Sequence, residues 1–421
     1  MLSSSSSLLS RRFATFGGIM LALVLTAGAQ AQTIKVLHDF GVSAGDGNLP
    51  SSALLKDSAG NLYGMTSAGG TYGLGTVYRL SPTSAASFTE TILYSFKGGS
   101  ADGAFPEGSL VRDSAGNLYG VTSVGGIRAT VCNSSAAPGC GVIFRLTPTT
   151  TGGWTETVLH RFTGTDGGNS FAGLVRDSKG NFYGATSAGG SKGLGTVYKL
   201  SLTSTGWKET VLHSFTGGTD GASPFMFETA LTLDGLGNIY GSTYSGGAAS
   251  AGIVFKLAPQ TSGAWTEKIL YTFQGGADGS EPATGVILDK SGNVYGTTWR
   301  GGTQIGSGTV FELTAANGYA KTILHDFNVL TDPAKETPHT LLFDASGNLF
   351  GTTEYALYKL TPGPTGWTET ALWVFDNSQD QGANTVYEPA IMDAEGNFWG
   401  ATLWGGQAGS TTGGVAWEVI P

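Results

Sequence analysis

The amino-acid sequence predicts an all-β fold, a seven-bladed β-propeller of four-stranded antiparallel blades. The phrase Asp-x-x-Gly-Asn-apolar-aromatic-Gly-x-Thr recurs seven times at a mean spacing of about 56 residues. Each repeat holds four short segments rich in β-branched and aromatic residues and bounded by glycine, which is the composition of strands. Four-stranded repeats that cover one another are typical of a propeller. An open β-solenoid is the alternative, but the repeats are long for one coil.

The four segments of a repeat differ in a way that orders them from the axis outward. The first two carry consecutive apolar residues, as at 285–288 and 294–298, so both of their faces should be covered. The third has the form Gly-Thr-Val-Tyr-Lys-Leu. The fourth alternates, with Ile92, Tyr94 and Phe96 on one side, and suits an outer position. No segment keeps a 3.6-residue apolar period long enough for a helix.

The two ends of the chain predict how the ring closes. The seventh repeat lacks a fourth segment, whereas residues 33–40 match the pattern of a fourth segment without a repeat of their own. We predict that this N-terminal strand completes the last blade, because it would cover an open sheet edge. Residues 32–421 are then a single propeller domain.

The first thirty-one residues have the pattern of a secretory signal peptide. Arg11 and Arg12 precede an apolar run at 16–29 and a small-residue site that ends at Ala31. A membrane anchor is the alternative, but the run is shorter than the ~20 residues a spanning helix needs. We expect export by the general secretory route, with the twin-arginine route second, to the periplasm, the medium or the cell surface.

Composition and cysteine usage narrow the range of partners and indicate how the two cysteines are used. The net charge of −9 and the pI near 5.0 argue against nucleic acid or an anionic membrane as the main partner. Cys132 and Cys140 stand eight positions apart in an exported segment, which predicts a local disulfide. A zinc site at these cysteines would need further ligands nearby. We expect a monomer.

Two sets of repeated polar residues have structural interpretations. The Asp-x-x-Gly-Asn element predicts a hairpin turn with the aspartate capping local backbone donors, since one turn offers too few oxygens for Ca²⁺. One position in the fourth strand holds an interchangeable ring, which indicates packing. The residues at this position are His38, Tyr94, His160, His213, Tyr271, His325 and Trp373.

The loop from each fourth strand to the next blade commonly reads Gly-Gly-x-Asp-Gly-x-x-Pro. Its aspartates favour a turn role, because Asp-Gly is a strong turn pair. The alternative is an acidic ring near the channel mouth, with Ca²⁺ as the cation it would take. We expect no other cofactor. The aspartates are Asp46, Asp102, Asp166, Asp220, Asp278, Asp332 and Asp380.

Departures from the repeat are the candidate ligand-binding residues, because the fold does not demand them. The loop that follows the second strand and the loop that follows the fourth strand should emerge on one face. Exposed tryptophan and tyrosine rings suit stacking on sugars or peptide side chains, and a pair of carboxylates would suit glycoside cleavage. The candidates are Tyr72, Tyr244, Glu281, Trp299, Arg300, His339, Glu388 and Trp404.

The recurring units resemble a known family. Trp-Thr-Glu-Thr-Val-Leu-His-x-Phe, Gly-Gly-x-Asp-Gly and Asp-x-x-Gly-Asn-Leu-Tyr-Gly-x-Thr are similar to the Gloeobacter/Verrucomicrobia tandem repeat over residues 33–421. The Asp-x-x-Gly-Asn-aromatic phrase is also similar to repeats in the sensor propellers of two-component regulators. The resemblance implies an exported, surface-associated bacterial protein without an assigned activity. Some members end in a sorting signal that this chain lacks, which favours a free periplasmic or secreted protein.

Three functional hypotheses follow. The first is a non-enzymatic exported propeller that binds an extracellular glycan or protein through its loop face. The second is a carbohydrate-active enzyme, a polysaccharide lyase or glycoside hydrolase, that uses loop-face carboxylates. The third is a structural component of the cell envelope. No motif of a serine hydrolase, zinc protease, phosphate loop or dinucleotide-binding fold is present in the sequence.

Overall fold

Seven antiparallel sheets form the blades of a β-propeller, which confirms the predicted fold class. The computed structural model describes residues 32–84, 87–132, 138–224, 230–282, 284–303, 306–332, 334, 337–375, 381–382, 389–408 and 413–421. Six blades have four strands, and blade 1 has a fifth because its inner strand is split in two. Helical structure in the described residues is confined to 3₁₀ turns of three residues each.

The strands follow one another outward from the axis within each blade. In chain order they are β1 (Thr33–Asp39) of blade 7; β2 (Gly47–Pro50), β3 (Leu55–Lys56), β4 (Leu62–Gly69), β5 (Thr76–Ser84) and β6 (Ser87–Ser95) of blade 1; β7 (Gly103–Arg112), β8 (Leu118–Gly125), β9 (Val142–Pro148) and β10 (Trp154–Arg161) of blade 2; β11 (Val175–Arg176), β12 (Phe182–Thr186), β13 (Thr196–Thr203) and β14 (Gly206–Ser214) of blade 3; β15 (Thr232–Leu233), β16 (Ile239–Thr243), β17 (Ile253–Pro259) and β18 (Trp265–Thr272) of blade 4; β19 (Ile287–Leu288), β20 (Val294–Thr298), β21 (Thr309–Thr314) and β22 (Ala320–Asp326) of blade 5; β23 (Pro338–Phe343), β24 (Leu349–Thr353), β25 (Ala356–Gly363) and β26 (Gly366–Val374) of blade 6; and β27 (Ile391–Met392), β28 (Phe398–Ala401) and β29 (Val415–Ile420) of blade 7. The 3₁₀ turns are Thr130–Cys132, Gly218–Asp220, Gly276–Asp278, Ala315–Asn317 and Gly406–Ala408.

The invariable glycine of the second strand makes room for an aromatic ring of the third. A Cβ atom at Gly64 would lie 2.5 Å from Cζ of Tyr78, so only glycine fits there. The second strands are buried over most of their length, as in β12 and β20. The same glycine and ring meet in every blade. The pairs are Gly64 with Tyr78, Gly120 with Phe144, Gly184 with Tyr198, Gly241 with Phe255, Gly296 with Phe311, Gly351 with Tyr358 and Gly400 with Trp417.

The same ring also links one blade to the next. A phenylalanine at the end of each fourth strand packs against it, with centroids 4.9–5.3 Å apart. The tilted and edge-on geometries are those that aromatic pairs prefer. A buried apolar cluster therefore lies between each pair of neighbouring blades. The pairs are Phe40 with Tyr78, Phe96 with Phe144, Phe162 with Tyr198, Phe215 with Phe255, Phe273 with Phe311, Phe327 with Tyr358 and Phe375 with Trp417.

The N-terminal strand closes the ring, as the sequence predicts. Strand β1 pairs antiparallel with β29, from Thr33 opposite Ile420 to Asp39 opposite Val415. Phe40 then packs on Tyr78 of blade 1. The first strand of the chain therefore joins the last blade to the first.

The Asp-x-x-Gly-Asn element forms the hairpin turn between the first two strands. Oδ1 of Asp57 accepts the backbone N–H groups of Ala59 and Asn61, both at 2.9 Å. Its Oδ2 accepts the Asn61 amide at 3.0 Å and the Tyr63 hydroxyl at 3.1 Å. Burial raises the pKa of Asp57, but these hydrogen bonds outweigh it and leave the pKa below its usual value. The aspartate thus serves its own turn.

The predicted disulfide is present between Cys132 and Cys140. Both cysteines are buried in the core between blades 2 and 3. Across the described ranges, we find no helix with the length and apolarity needed to cross a membrane.

Candidate ligand-binding site on the loop face

Two kinds of loop meet on one face of the propeller, which we call the loop face. These are the loops between the second and third strands and the loops from a fourth strand to the next blade. Isolated bridges join them: Ala222 pairs with Ser245, and Ser280 pairs with Arg300. The backbone therefore joins the loop that enters a blade to the second-to-third strand loop of the same blade at this face.

Glu281 stands at a backbone bend that most blades share. Its φ of 57° is in the left-handed region, and its N–H donates to the Ala251 carbonyl at 3.0 Å. Trp299 in turn donates its N–H to the Glu281 carbonyl at 3.0 Å. Leu49 and Phe105 occupy the same bend in other blades. The fold requires the bend but not a carboxylate, so the glutamate is specific to this place.

The carboxylate of Glu281 is bound from two sides. Its Oε2 accepts the Tyr244 hydroxyl at 3.0 Å and Nε of Arg300 at 3.0 Å. The Arg300 side chain is 71% exposed and that of Glu281 24%. Burial, together with the Glu281 carboxylate, raises the pKa of Tyr244, so its hydroxyl stays protonated at neutral pH.

Two rings extend this group toward the protein interior. Trp299 packs edge-on against Tyr244, with centroids 6.2 Å apart, and against His339 at 5.7 Å. His339 belongs to β23 and is 1% exposed, and burial lowers its pKa to about 3. We call Tyr244, Glu281, Trp299, Arg300 and His339 the loop-face cluster. It runs from an exposed guanidinium to a buried neutral imidazole across blades 4, 5 and 6.

The structure places the other three candidates elsewhere or does not describe them. Tyr72 and Trp404 are exposed on the equivalent loops of blades 1 and 7 and take no part in the contacts that define the loop-face cluster. Glu388 lies outside the described residues, as does Asp380 of the loop aspartates.

The other six loop aspartates each face the ring residue in the fourth strand of their own blade, and all but Asp46 form a hydrogen bond with it. His160 lies 3.2 Å from Asp166, and Tyr94 donates its hydroxyl to Asp102 at 2.8 Å. The histidines also pack edge-on against the blade's phenylalanine, as His38 does against Phe40. Packing alone therefore does not explain the ring residues at this position of the fourth strand. The missed signal was that this position holds only histidine, tyrosine or tryptophan, and all three rings carry a hydrogen-bond donor.

A third residue, from the fourth strand of the next blade, completes each of these groups. Glu90 lies 3.8 Å from His38 and faces Asp46. Burial and the Asp46 carboxylate raise the pKa of Glu90 to about 9. Burial likewise raises the pKa of Glu209 and of Glu267 to about 8. Sequence reasoning did not single out these glutamates, because the strand repeat made them look like outward polar residues.

Fold and site together define a seven-bladed propeller with a polar and aromatic cluster on its loop face. The model of the Gloeobacter/Verrucomicrobia repeat matches residues 22–130 and 126–357, and the chain belongs to this repeat family. The resemblance seen in the sequence is confirmed. A search among curated proteins finds no significant match.

Solved structures of the same fold include two lyases and an extracellular domain. A streptogramin B lyase is similar at 13% identity and a TM-score of 0.53, covering 92% of this chain and 97% of that one. The extracellular domain of BT4673 from B. thetaiotaomicron, described as a putative one-component system, is similar at 12% identity and a TM-score of 0.56. The match covers 91% of this chain and 39% of that one. A PL25 ulvan lyase bound to -[GlcA(1-4)Rha3S]- is similar at 12% identity and a TM-score of 0.50. The match covers 81% of this chain and 88% of that one. At these identities the likeness shows the fold alone.

Proposed function

We propose that this protein is an exported, non-enzymatic binding propeller that recognises an acidic extracellular glycan through the loop-face cluster. One observation carries the proposal: Arg300 is 71% exposed while its Nε is held by Glu281. A ligand in solvent can therefore reach the guanidinium while Glu281 contacts its Nε. A guanidinium so held suits a carboxylate or sulfate group.

The neighbouring rings support a sugar ligand. Trp299 is half-buried, and its contacts with Tyr244 and His339 fix its orientation. A fixed aromatic ring beside a cation offers an apolar face and a charge to the same ligand. The signal-peptide pattern in the sequence of residues 1–31 and the disulfide support export, because disulfides persist in oxidising compartments. Cleavage after Ala31 would be seen directly as the N-terminus of the mature protein.

The binding test compares two exposed arginines of the loop face. Purified protein is screened on a glycan array, and hits are titrated by calorimetry. We expect Arg300→Ala to weaken binding by roughly 10- to 100-fold, the cost of losing a charged hydrogen bond. Arg128 is an exposed arginine of blade 2, and Arg128→Ala should bind as the unmodified protein does. Equal affinities of the two variants would refute the site.

An enzyme on the same site is the second candidate. The Tyr244 hydroxyl bonded to the Glu281 carboxylate is a pair that can move a proton. A polysaccharide lyase or glycoside hydrolase would release unsaturated or reducing ends from a panel of polysaccharides. Release that disappears in Glu281→Gln would establish the enzyme and overturn the binding proposal. A structural envelope component, the third hypothesis, would show no saturable ligand.

A further inference from the structure

Within the part of the chain that the structure describes, clusters of one histidine and two carboxylates occupy three of the junctions between neighbouring blades. In each, the histidine and the aspartate come from one blade and the glutamate from the next. One ligand atom from each residue lies within 4.8 Å of the other two. The clusters are His38, Asp46 and Glu90; His160, Asp166 and Glu209; and His213, Asp220 and Glu267.

The spacing of the ligand atoms suits a small divalent ion. Nε2 of His38 lies 3.5 Å from Oδ1 of Asp46 and 3.8 Å from Oε2 of Glu90. His160 and Asp166 are 3.2 Å apart. With metal–ligand bonds of about 2.0–2.1 Å, ligand atoms on a tetrahedral or octahedral ion are about 3.0–3.4 Å apart. These histidine–carboxylate separations need to contract by at most about half an ångström, and the aspartate and glutamate ligand atoms start within 4.8 Å of each other.

Buried atoms of the first cluster lack a hydrogen-bond partner among the described residues. These are Nε2 of His38, Oδ1 of Asp46 and Oε1 of Glu90. The Asp46 side chain is only 5% exposed. A buried acceptor without a partner is costly, so a group that binds these atoms is expected.

A fourth junction shows which group lies beside the loop aspartate when the histidine and the glutamate are replaced. Between blades 4 and 5 the glutamate is replaced by Lys321 and the histidine by Tyr271. Nζ of Lys321 lies 2.6 Å from Oδ1 of Asp278, and the lysine side chain is 6% exposed. Where the ligand set is incomplete, the chain itself places a buried cation against the same aspartate. The space beside the loop aspartate at a blade junction therefore accommodates a positive charge.

We propose that each of the three clusters binds one divalent transition-metal ion, with Zn²⁺ the best match, and that the ion ties neighbouring blades together. An imidazole nitrogen with two carboxylates suits zinc and its neighbours in the first transition row. Ca²⁺ is a poorer match because it takes six to eight oxygen ligands. The three clusters share no residue with the loop-face cluster, so the metal-binding proposal does not depend on the glycan-binding proposal.

The test titrates Zn²⁺ into the chelator-treated mature chain, in competition with a chromophoric chelator. We expect three ions per chain. Glu90→Gln, Glu209→Gln and Glu267→Gln should each remove one ion, because glutamine keeps the shape but loses the charge. Glu156→Gln is the matched control: it changes the same strand position at a junction where Tyr94 replaces the histidine, and should still bind three.

Two further measurements keep the proposal testable if a variant folds poorly. The unmodified chain loaded with Co²⁺ should show the visible absorption of a nitrogen and oxygen ligand set, and Zn²⁺ should raise its Tm. Tyr271→His with Lys321→Glu should create a fourth site. Absence of Zn²⁺ binding by the unmodified chain, or three ions retained in all three glutamine variants, would overturn the proposal.

Discussion

The glycine of the repeated phrase shows how one residue sets the packing of a whole blade. Because Gly64 has no side chain, the Tyr78 ring can lie directly over it. In this position the ring contacts Phe40 of the preceding blade. The glycine thus couples the interior of one blade to the interface with the next. Its recurrence in all seven blades is a steric requirement of this arrangement.

Gly64→Ala should therefore destabilise the protein although the change adds one methyl group. The new Cβ would overlap the Tyr78 ring, and overpacking of this kind costs about 1–3 kcal/mol. Gly235→Ala is the control, because nothing lies near its Cβ and its φ is not positive. Thermal and urea unfolding of both variants would measure the difference. Equal stability of the two would contradict the steric account.

Glu156 provides a pH-dependent contribution to stability. Burial and the nearby Asp102 carboxylate raise its pKa from 4.5 to about 7. A raised pKa in the folded state means that the contribution is complete below pH 4.5 and is lost as the pH rises through about 7. The slope is at most about 1.4 kcal/mol per pH unit. Glu156→Gln should flatten the unfolding free energy between about pH 5 and pH 8. An unchanged pH profile would show that the carboxyl group is not perturbed.

The fourth strand contributes three kinds of contact that join the blades. It provides the phenylalanine that packs on the next blade, the residue that binds the loop aspartate, and the glutamate that faces the preceding blade's aspartate. Its other residues alternate between half-buried and exposed, as in β6. An outer strand with one face toward solvent therefore adds polar and aromatic contacts to an apolar interface that the inner strands also form.

Ring closure depends on strand β1, which forms the fourth strand of blade 7. Phe40 is fully buried, and its N–H donates to the Gly414 carbonyl at 2.9 Å. Phe40→Ala should cost about 3–5 kcal/mol, and deletion of residues 33–40 should abolish cooperative unfolding. Val42→Ala, just beyond the strand and exposed, should leave Tm unchanged. A deletion variant that melts like the full chain would refute closure by this strand.

At the level of the whole molecule, the repeat explains why the fold was predictable. Each blade is specified by the same local signals, so the count of phrases predicted the count of blades, and the unpaired segment at 33–40 predicted the closing contact. The inner strands are less regular than the pattern suggests. In blade 1 the inner strand is split between β2 and β3 by the irregular stretch at 51–54.

The candidate site was predictable only in part, because its contacts join blades. Tyr244, Glu281 and His339 come from different repeats, and no local pattern indicates that the first two share a hydrogen bond. Departure from the repeat was enough to select them as candidates, but not to group them. The junction clusters were missed for the opposite reason: their members obey the repeat, and only the stacking of one blade on the next brings Glu90 to His38.

Ring closure by a shared blade implies that the position of the chain ends is not essential. Thr33 lies opposite Ile420, so a short glycine-rich linker can join residue 421 to residue 32. New ends at the exposed turn 204–205 would make blade 3 the blade formed from both termini. We expect this permutant to fold with the β-sheet circular dichroism of the original chain and to melt cooperatively, because all seven interfaces are kept. The same permutant without residues 205–214 should lose cooperative melting, as the chain lacking 33–40 does. A permutant that never folds would show that closure specifically requires the natural N-terminal strand as a free end.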